Sequence, residues 1–312
     1  MLAFLPSPLL LLINLILIPL NAITIATPIM LLGLVRLCLP LRQVTLFIER
    51  CNYYLYKAWV FNNTVIIALT NRVSWHISGD PIPQVKRSCV VISNHLSWAD
   101  ILILCTIYRG HIPTTKFFMK HSLIYIPFVG LACYALGMPF LRRYSSKQLI
   151  HHPELRERDI ESTRAACRRL AWWPTALINF VEGTRYTPQK ARLMRSPFRH
   201  LMAPKATSLA ITLGEIGADI DVILNTTLCY PHNRAPGKPF IDLLRGRLRE
   251  VYADIEVIPV NQSWCGDYLH DKVMAALDKC LNNDKVDELA AAAYAAAQWH
   301  IFDALDFMLG KQ

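Results

Sequence analysis

The sequence predicts an α/β domain with a mostly parallel central sheet flanked by helices, preceded by an N-terminal membrane-embedded helix or helical hairpin. Three observations carry this. Short apolar runs rich in β-branched residues (Cys89–Ser93, Thr175–Val181, Asp221–Cys229 and Glu250–Val260) alternate with helix-like stretches such as Glu154–Trp172 and Asp271–Leu281. Apolar runs of that length between helices read as buried, largely parallel strands. Of the 312 residues 53% are hydrophobic and only 18% charged, and no Asp, Glu, Lys or Arg precedes Arg36, so the charge deficit sits at the N-terminus. Finally, the run Leu9–Val35, resumed after Arg36 by Leu37, Cys38 and Leu39, is longer than the roughly 20 residues that cross a bilayer core.

Residues 1–40 are therefore expected to form a membrane anchor. A cleaved signal peptide would carry a basic start and a short apolar core ending at small residues, and neither is present. Arg36, Arg42, Arg50 and Lys57 follow the run with only Glu49 against them, which places the downstream chain in the cytoplasm. Pro19 and Pro28 leave two shapes open, a kinked span and a re-entrant hairpin. Residues 41–80 are expected to be an interfacial helical linker, because Tyr53, Tyr54, Tyr56, Trp59, Phe61 and Trp75 are spread among polar residues as headgroup-level aromatics are. Gly79-Asp80-Pro81-Ile82-Pro83 breaks regular structure and marks a boundary, leaving residues 81–312 as the catalytic-type domain.

Within that domain the familiar signatures are missing. There is no GxGxxG, GxxxxGK[ST], GxSxG or HExxH, and the nine cysteines make no CxxC pair. These thiols read as small core residues of a reducing compartment, and no metal site is expected. Lys and Arg exceed Asp and Glu by ten, which with an apolar terminus points to an anionic membrane face or a phosphorylated substrate and away from nucleic acid. The Ala-rich segment 290–297 reads as a helix packed closely on a neighbour.

Two strand ends carry chemistry. The strand Cys89–Ser93 runs into Asn94-His95-Leu96-Ser97-Trp98-Ala99-Asp100 and a helical-looking ILIL. Five residues along an ideal helix would not share a face, so His95 must lie in the entry loop and reach back to Asp100. A carboxylate so placed fixes the imidazole tautomer and leaves the other ring nitrogen to take a proton from a hydroxyl. One such spacing is expected by chance about half the time in a chain of this composition. The second strand end raises its weight: Thr175–Val181 leads into Glu182-Gly183-Thr184-Arg185. Two parallel strands ending in polar loops put both at the carboxyl edge of a sheet, where α/β sites form, and an arginine there offers a fork suited to phosphate.

Asn94-His95-x4-Asp100 and Phe180-Val181-Glu182-Gly183-Thr184-Arg185 resemble blocks one and three, NHxxxxD and FxEGTR, of the 1-acylglycerol-3-phosphate acyltransferase family, a branch of the lysophospholipid acyltransferase superfamily. Between them, Lys120-x2-Leu123-x3-Pro127-x2-Gly130 is similar to the family's K-x-x-L-x-x-x-P-x-x-G stretch, and Gly137-x2-Phe140-x2-Arg143 to its GxxFxxR block. The resemblance covers most of residues 85–235. Its arrangement is most similar to inner-membrane acyltransferases of Gram-negative bacteria and to lysocardiolipin-acyltransferase-like proteins.

The resemblance implies a membrane-bound acyltransferase, at the bacterial inner membrane with its catalytic domain cytoplasmic. It would transfer a fatty acyl group from acyl-CoA or acyl carrier protein to a lysophospholipid, first of all 1-acylglycerol-3-phosphate. His95 would be the general base and Asp100 its orienter. Arg143 and Arg185 would hold the acceptor phosphate with Lys120 as a further positive group, while Glu182 and Gly183 shape the loop, Glu182 steering Arg185 or a substrate hydroxyl. No cofactor is implied, because the thioester is already activated. Leu224-Asn225-Thr226-Thr227-Leu228-Cys229-Tyr230-Pro231 is polar where the family's fourth block is apolar with a proline. The acceptor is thus the least transferable property, and lysophosphatidylglycerol or a lysocardiolipin is the alternative. A non-catalytic lipid-binding protein on the same fold is the rival from another class.

Overall fold

The computed structural model describes residues 2–141, 154–196, 201–202, 207–232 and 237–260. Arg143, the stretch 271–281 and the Ala-rich segment 290–297 lie outside them. Six strands make the main sheet: β1 (Ser74–Gly79), β2 (Ser88–Ser93), β3 (Thr114–Phe117), β6 (Thr175–Phe180), β7 (Ile220–Cys229) and β8 (Glu250–Pro259), in the order β1-β8-β7-β2-β6-β3. Only β7 and β8 pair antiparallel. Two short strands, β4 (Met119–Lys120) and β5 (Phe140–Leu141), pair separately.

The strand sequences explain this order. β2 lies between β6 and β7 and is buried along its whole length, so its run Cys-Val-Val-Ile needs no polar alternation. β8 alternates, with Val251, Ala253 and Ile255 turned into the core and the residues between them more open, as suits a strand with one solvated face. Val90 and Ile92 pack on one face of the sheet with Leu170, Leu177 and Ile216; Cys89 and Val91 pack on the other with Tyr56, Leu102 and Leu243. The sheet is thus the middle of three layers. On the first face lie α5 (Glu154–Leu170) and α7 (Thr207–Ile216), joined by Arg168–Glu215 at 3.1 Å. On the second lie α2 (Arg42–Thr70), α3 (Ala99–Ile107) and α8 (Lys238–Leu244). Each fully buried Val, Leu or Ile contributes roughly 1.5–3 kcal/mol.

Two elements differ from the sequence expectation. The linker 41–80 holds one helix, α2, followed by β1, which carries Trp75 and pairs parallel with β8, so the sheet begins before the Gly79-Asp80-Pro81 break. Its side chains are exposed, and its backbone satisfies the open edge of β8. β3 adds a strand that an apolar pattern does not reveal, since Thr114, Thr115 and Lys116 are polar; all are buried. Burial depresses the pKa of Lys116.

Ahead of the sheet, α1 (Ser7–Cys38) continues unbroken through Pro19 and Pro28 for 32 residues, about 48 Å at 1.5 Å per residue. A three-residue connection turns the chain into α2, and the two helices pack together as a hairpin. The domain holds α1 at both ends. Asn14 Nδ2 donates to the Leu244 carbonyl at 2.9 Å and Ser7 Oγ to that of Arg245 at 3.0 Å, satisfying orphan carbonyls at the end of α8. At the other end Ala26 and Ile29 pack on Ala132 and Leu136, the former in α4 (Val129–Ala135). The outer face of the hairpin exposes Leu12, Leu15, Ile16, Leu20, Ile23, Leu31 and Phe47, beside exposed Tyr125, Phe128 and Leu131 near α4. By length and composition α1 is the one helix among the described residues able to cross a membrane. So large an exposed apolar surface marks a membrane or protein contact.

Candidate active site

The loop from β2 to α3 is built around Asp100. It lies in the first turn of α3 with its side chain wholly buried, and the loop wraps so that three donors converge on Oδ2: Leu96 N–H at 2.7 Å, Ser97 N–H at 2.8 Å and His95 Nδ1 at 2.9 Å. This is the physical reason for the five-residue spacing. A carboxylate at a helix N-terminus also meets the positive end of the helix dipole. The imidazole is stacked on Phe180, with ring centroids 4.1 Å apart, and Phe180 on Phe117 at 6.4 Å. With Nδ1 donating to Asp100, Nε2 is the nitrogen left to accept a proton; it has no partner among the described residues, and the side chain keeps 16% exposure.

The loop after β6 is tied to this one at two points. Glu182 Oε1 accepts the His95 N–H at 3.0 Å, and the Tyr186 N–H donates to the His95 carbonyl at 2.8 Å. Glu182 Oε2 accepts the Met202 N–H at 2.9 Å. Both oxygens of this fully buried carboxyl are thus spent on backbone donors, so it locks the His95 loop instead of steering Arg185. Burial outweighs those two bonds and pushes the Glu182 pKa up to about 8. Gly183 turns the chain at φ +65°, its N–H donating to the Phe180 carbonyl at 2.8 Å; a side chain there would be strained.

Arg185 lies over the Trp98 ring, 5.0 Å from its centroid, which brings a cation from the second loop across the first. Lys190, on α6 (Pro188–Leu193), donates from Nζ to Thr184 Oγ1 at 2.9 Å and to the Arg185 carbonyl at 3.2 Å. Thr187 caps that helix by accepting the Lys190 N–H at 3.1 Å. The structure therefore brings together His95, Asp100, Glu182, Gly183 and Arg185. Lys120 is exposed on β4, beyond the end of β3, with no contact to the dyad among the described residues. Arg143 is outside the described residues.

Three residues of the site were not singled out as functional from the sequence. Asn94 grips the end of β7 with two bonds, Nδ2 to the Leu228 carbonyl at 2.9 Å and Oδ1 from the Leu228 N–H at 2.8 Å. Tyr230, 1% exposed, donates its hydroxyl to Asp100 Oδ1 at 2.8 Å. Lys190 is the third. Position in NHxxxxD was a signal for Asn94; Tyr230 and Lys190 had none. Part of the polar departure in β7 is met by partners on other elements: Asn225 Nδ2 donates to Glu256 at 3.1 Å and Thr226 bonds the buried Tyr108 hydroxyl, while Asn225 Oδ1 is buried without a partner among the described residues.

Fold and site define an α/β domain with a hydrogen-bonded histidine–carboxylate pair and a cationic loop side by side at the carboxyl edge of its sheet. Residues 74–214 match the family model described as Acyltransferase. The chain is similar to 1-acyl-sn-glycerol-3-phosphate acyltransferase gamma of Mus musculus, 24% identical over 204 residues covering 59% of this chain and 50% of the relative. The delta form of Mus musculus is 22% identical over the same shares. The chain thus spans about half the length of the curated relatives it matches. Among solved structures, 1-acyl-sn-glycerophosphate (LPA) acyltransferase, PlsC, from Thermotoga maritima aligns with a TM-score of 0.46 at 20% identity, covering 90% of this chain and 97% of that one.

Proposed function

We propose that the protein is a membrane-bound O-acyltransferase that moves a fatty acyl group from acyl-CoA or acyl carrier protein to the free hydroxyl of 1-acylglycerol-3-phosphate. The observation that carries this reading is the His95–Asp100 pair, with Nδ1 anchored at 2.9 Å and Nε2 unoccupied, set beside the Arg185 loop. Nε2 takes the hydroxyl proton as the acceptor oxygen attacks the thioester carbonyl. The tetrahedral intermediate collapses, the C–S bond breaks, and the thiolate leaves with the proton returned from the imidazolium. The buried Asp100 charge stabilises that imidazolium without itself being protonated. Arg185 and Lys190 supply positive charge for the acceptor phosphate.

The apolar outer face of the α1–α2 hairpin would sit in the cytoplasmic leaflet of the inner membrane, so that a lysolipid reaches the base without leaving the bilayer. The supporting observation is the run of exposed leucines and isoleucines along α1, which is held to the domain at both ends.

The test is transfer of labelled acyl groups from acyl-CoA, and in parallel from acyl carrier protein, to a panel of lysophospholipids. Detergent-purified wild type is compared with His95→Ala and Arg185→Ala. Wild type should acylate 1-acylglycerol-3-phosphate, His95→Ala should lose at least about 10²-fold in rate while folded, and Arg185→Ala should chiefly raise the acceptor KM. Product only with lysophosphatidylglycerol or a lysocardiolipin would reassign the acceptor. No product from any pair by a folded protein would favour lipid binding without catalysis.

A further inference from the structure

We propose that Tyr230 is a positioning residue that acts through Asp100 to set how readily His95 accepts a proton. The inference rests on the reading of His95 as the base. Asp100 has two oxygens in different circumstances: Oδ2 takes His95 Nδ1 and two backbone N–H groups, whereas the partner of Oδ1 among the described residues is the Tyr230 hydroxyl, at 2.8 Å. The phenol comes from the residue that follows β7, the strand lying parallel beside β2. Its approach is fixed by the double bond of Asn94 to Leu228 two residues earlier. The same NHxxxxD loop therefore holds the base, its orienter and the clamp that aims the phenol.

The chemistry follows from sharing one negative charge among donors. A phenol O–H on Oδ1 draws electron density from the carboxylate and weakens its pull on the Nδ1 proton. Remove the phenol and the carboxylate holds the imidazolium more firmly; His95 then stays protonated to higher pH and is a poorer base near neutrality. Burial beside Asp100 raises the Tyr230 pKa, so it remains a donor throughout the working range. Among the described residues, the other ionisable groups around the pair are Glu182 from the loop after β6, Arg185 over Trp98 of the His95 loop, and Cys229 next to Tyr230. Of these Glu182 titrates near pH 8, and repeating the titration in Glu182→Gln separates its contribution.

The experiment is an NMR titration of the His95 ring in full-length detergent-solubilised protein, identified by its loss in His95→Ala, alongside kcat/KM against pH. Tyr230→Phe should move the His95 midpoint and the acid limb of the rate profile up by about half to one pH unit, with KM for donor and acceptor unchanged. A 3-fluorotyrosine at position 230, similar in shape but a stronger donor, should move both down. A folded Tyr230→Phe whose midpoint and limb coincide with wild type, even at a lower Tm, would overturn the proposal, as would an unmoved midpoint in the fluorinated protein if the Phe variant does not fold. The two readings fail separately: a shifted His95 midpoint in an enzyme that transfers no acyl group would leave the Tyr230 coupling standing and remove the catalytic reading.

Discussion

Replacing Asp100 by Asn separates the charge of the orienter from its geometry. The amide oxygen can keep the three donors now on Oδ2, those of Leu96, Ser97 and His95, while the amide nitrogen donates to Tyr230, whose hydroxyl can turn to accept. The loop should therefore survive. Four charge-assisted bonds become neutral ones at a cost of about 1 kcal/mol each, and the penalty for burying a charge disappears at the same time. The net change in stability should stay within about 2 kcal/mol. Catalysis should suffer far more. Losing the charge-assisted bond to the imidazolium, about 1.5–3 kcal/mol, is worth roughly 10- to 150-fold, and freeing the ring to adopt the wrong tautomer adds to it. The expected kcat is thus lower by about 10²–10⁴ with both KM values nearly unchanged. Steady-state acyl transfer on the folded variant checks this. A kcat within threefold of wild type would refute the argument that the buried charge on Asp100 drives the base.

Two further outcomes follow from the same geometry. Glu182 has a pKa near 8 in the folded chain against an ordinary 4.5, so the native state holds a proton that the unfolded chain releases between those values. The resulting stability is present in full below about pH 4.5 and is lost as pH rises through 8. Urea unfolding from pH 5 to 9 should show wild type losing stability more steeply than Glu182→Gln, which itself pays about 1–3 kcal/mol for presenting an amide nitrogen to one backbone N–H; parallel curves would remove the argument. At Gly130 an added Cβ would lie 2.3 Å from the Ile124 carbonyl oxygen and 2.5 Å from that of Leu123, so Gly130→Ala should lower Tm markedly. Gly214→Ala, inside α7 with nothing within 4 Å, should instead stabilise by about 0.5–1 kcal/mol. Equal melting temperatures for the two variants would show that the P-x-x-G turn has room to relax.

Much of the sheet was legible because β2, β6, β7 and β8 are apolar runs whose burial follows from composition, and their ends in the structure fall within a residue of the expected ones. The elements missed were those whose residues contradict their environment. β3 hides a lysine and two threonines in the interior, and β1 exposes every side chain and exists only because β8 offers an edge. The N-terminal helix shows the same division. Its apolar run required a nonpolar surrounding, but docking of Asn14 on the end of α8 and of Gly33 against Ala135, which makes the run one arm of a hairpin against the domain, depends on residues a hundred or more positions away.

At the site, sequence by itself determined the dyad, the Glu-Gly-Thr-Arg loop and their placement at one edge, since each is a local motif following a recognisable strand. Only the tertiary structure decided what Glu182 bonds, that Arg185 crosses over Trp98, and that Tyr230 meets Asp100. The physical reason is separation. Asp100 and Tyr230 lie 130 residues apart along the chain, and no periodicity or spacing records a contact made by aligning β7 beside β2. Burial, which turns a phenol and a carboxylate into obligatory partners, is a property of the packed layers and not of either segment alone.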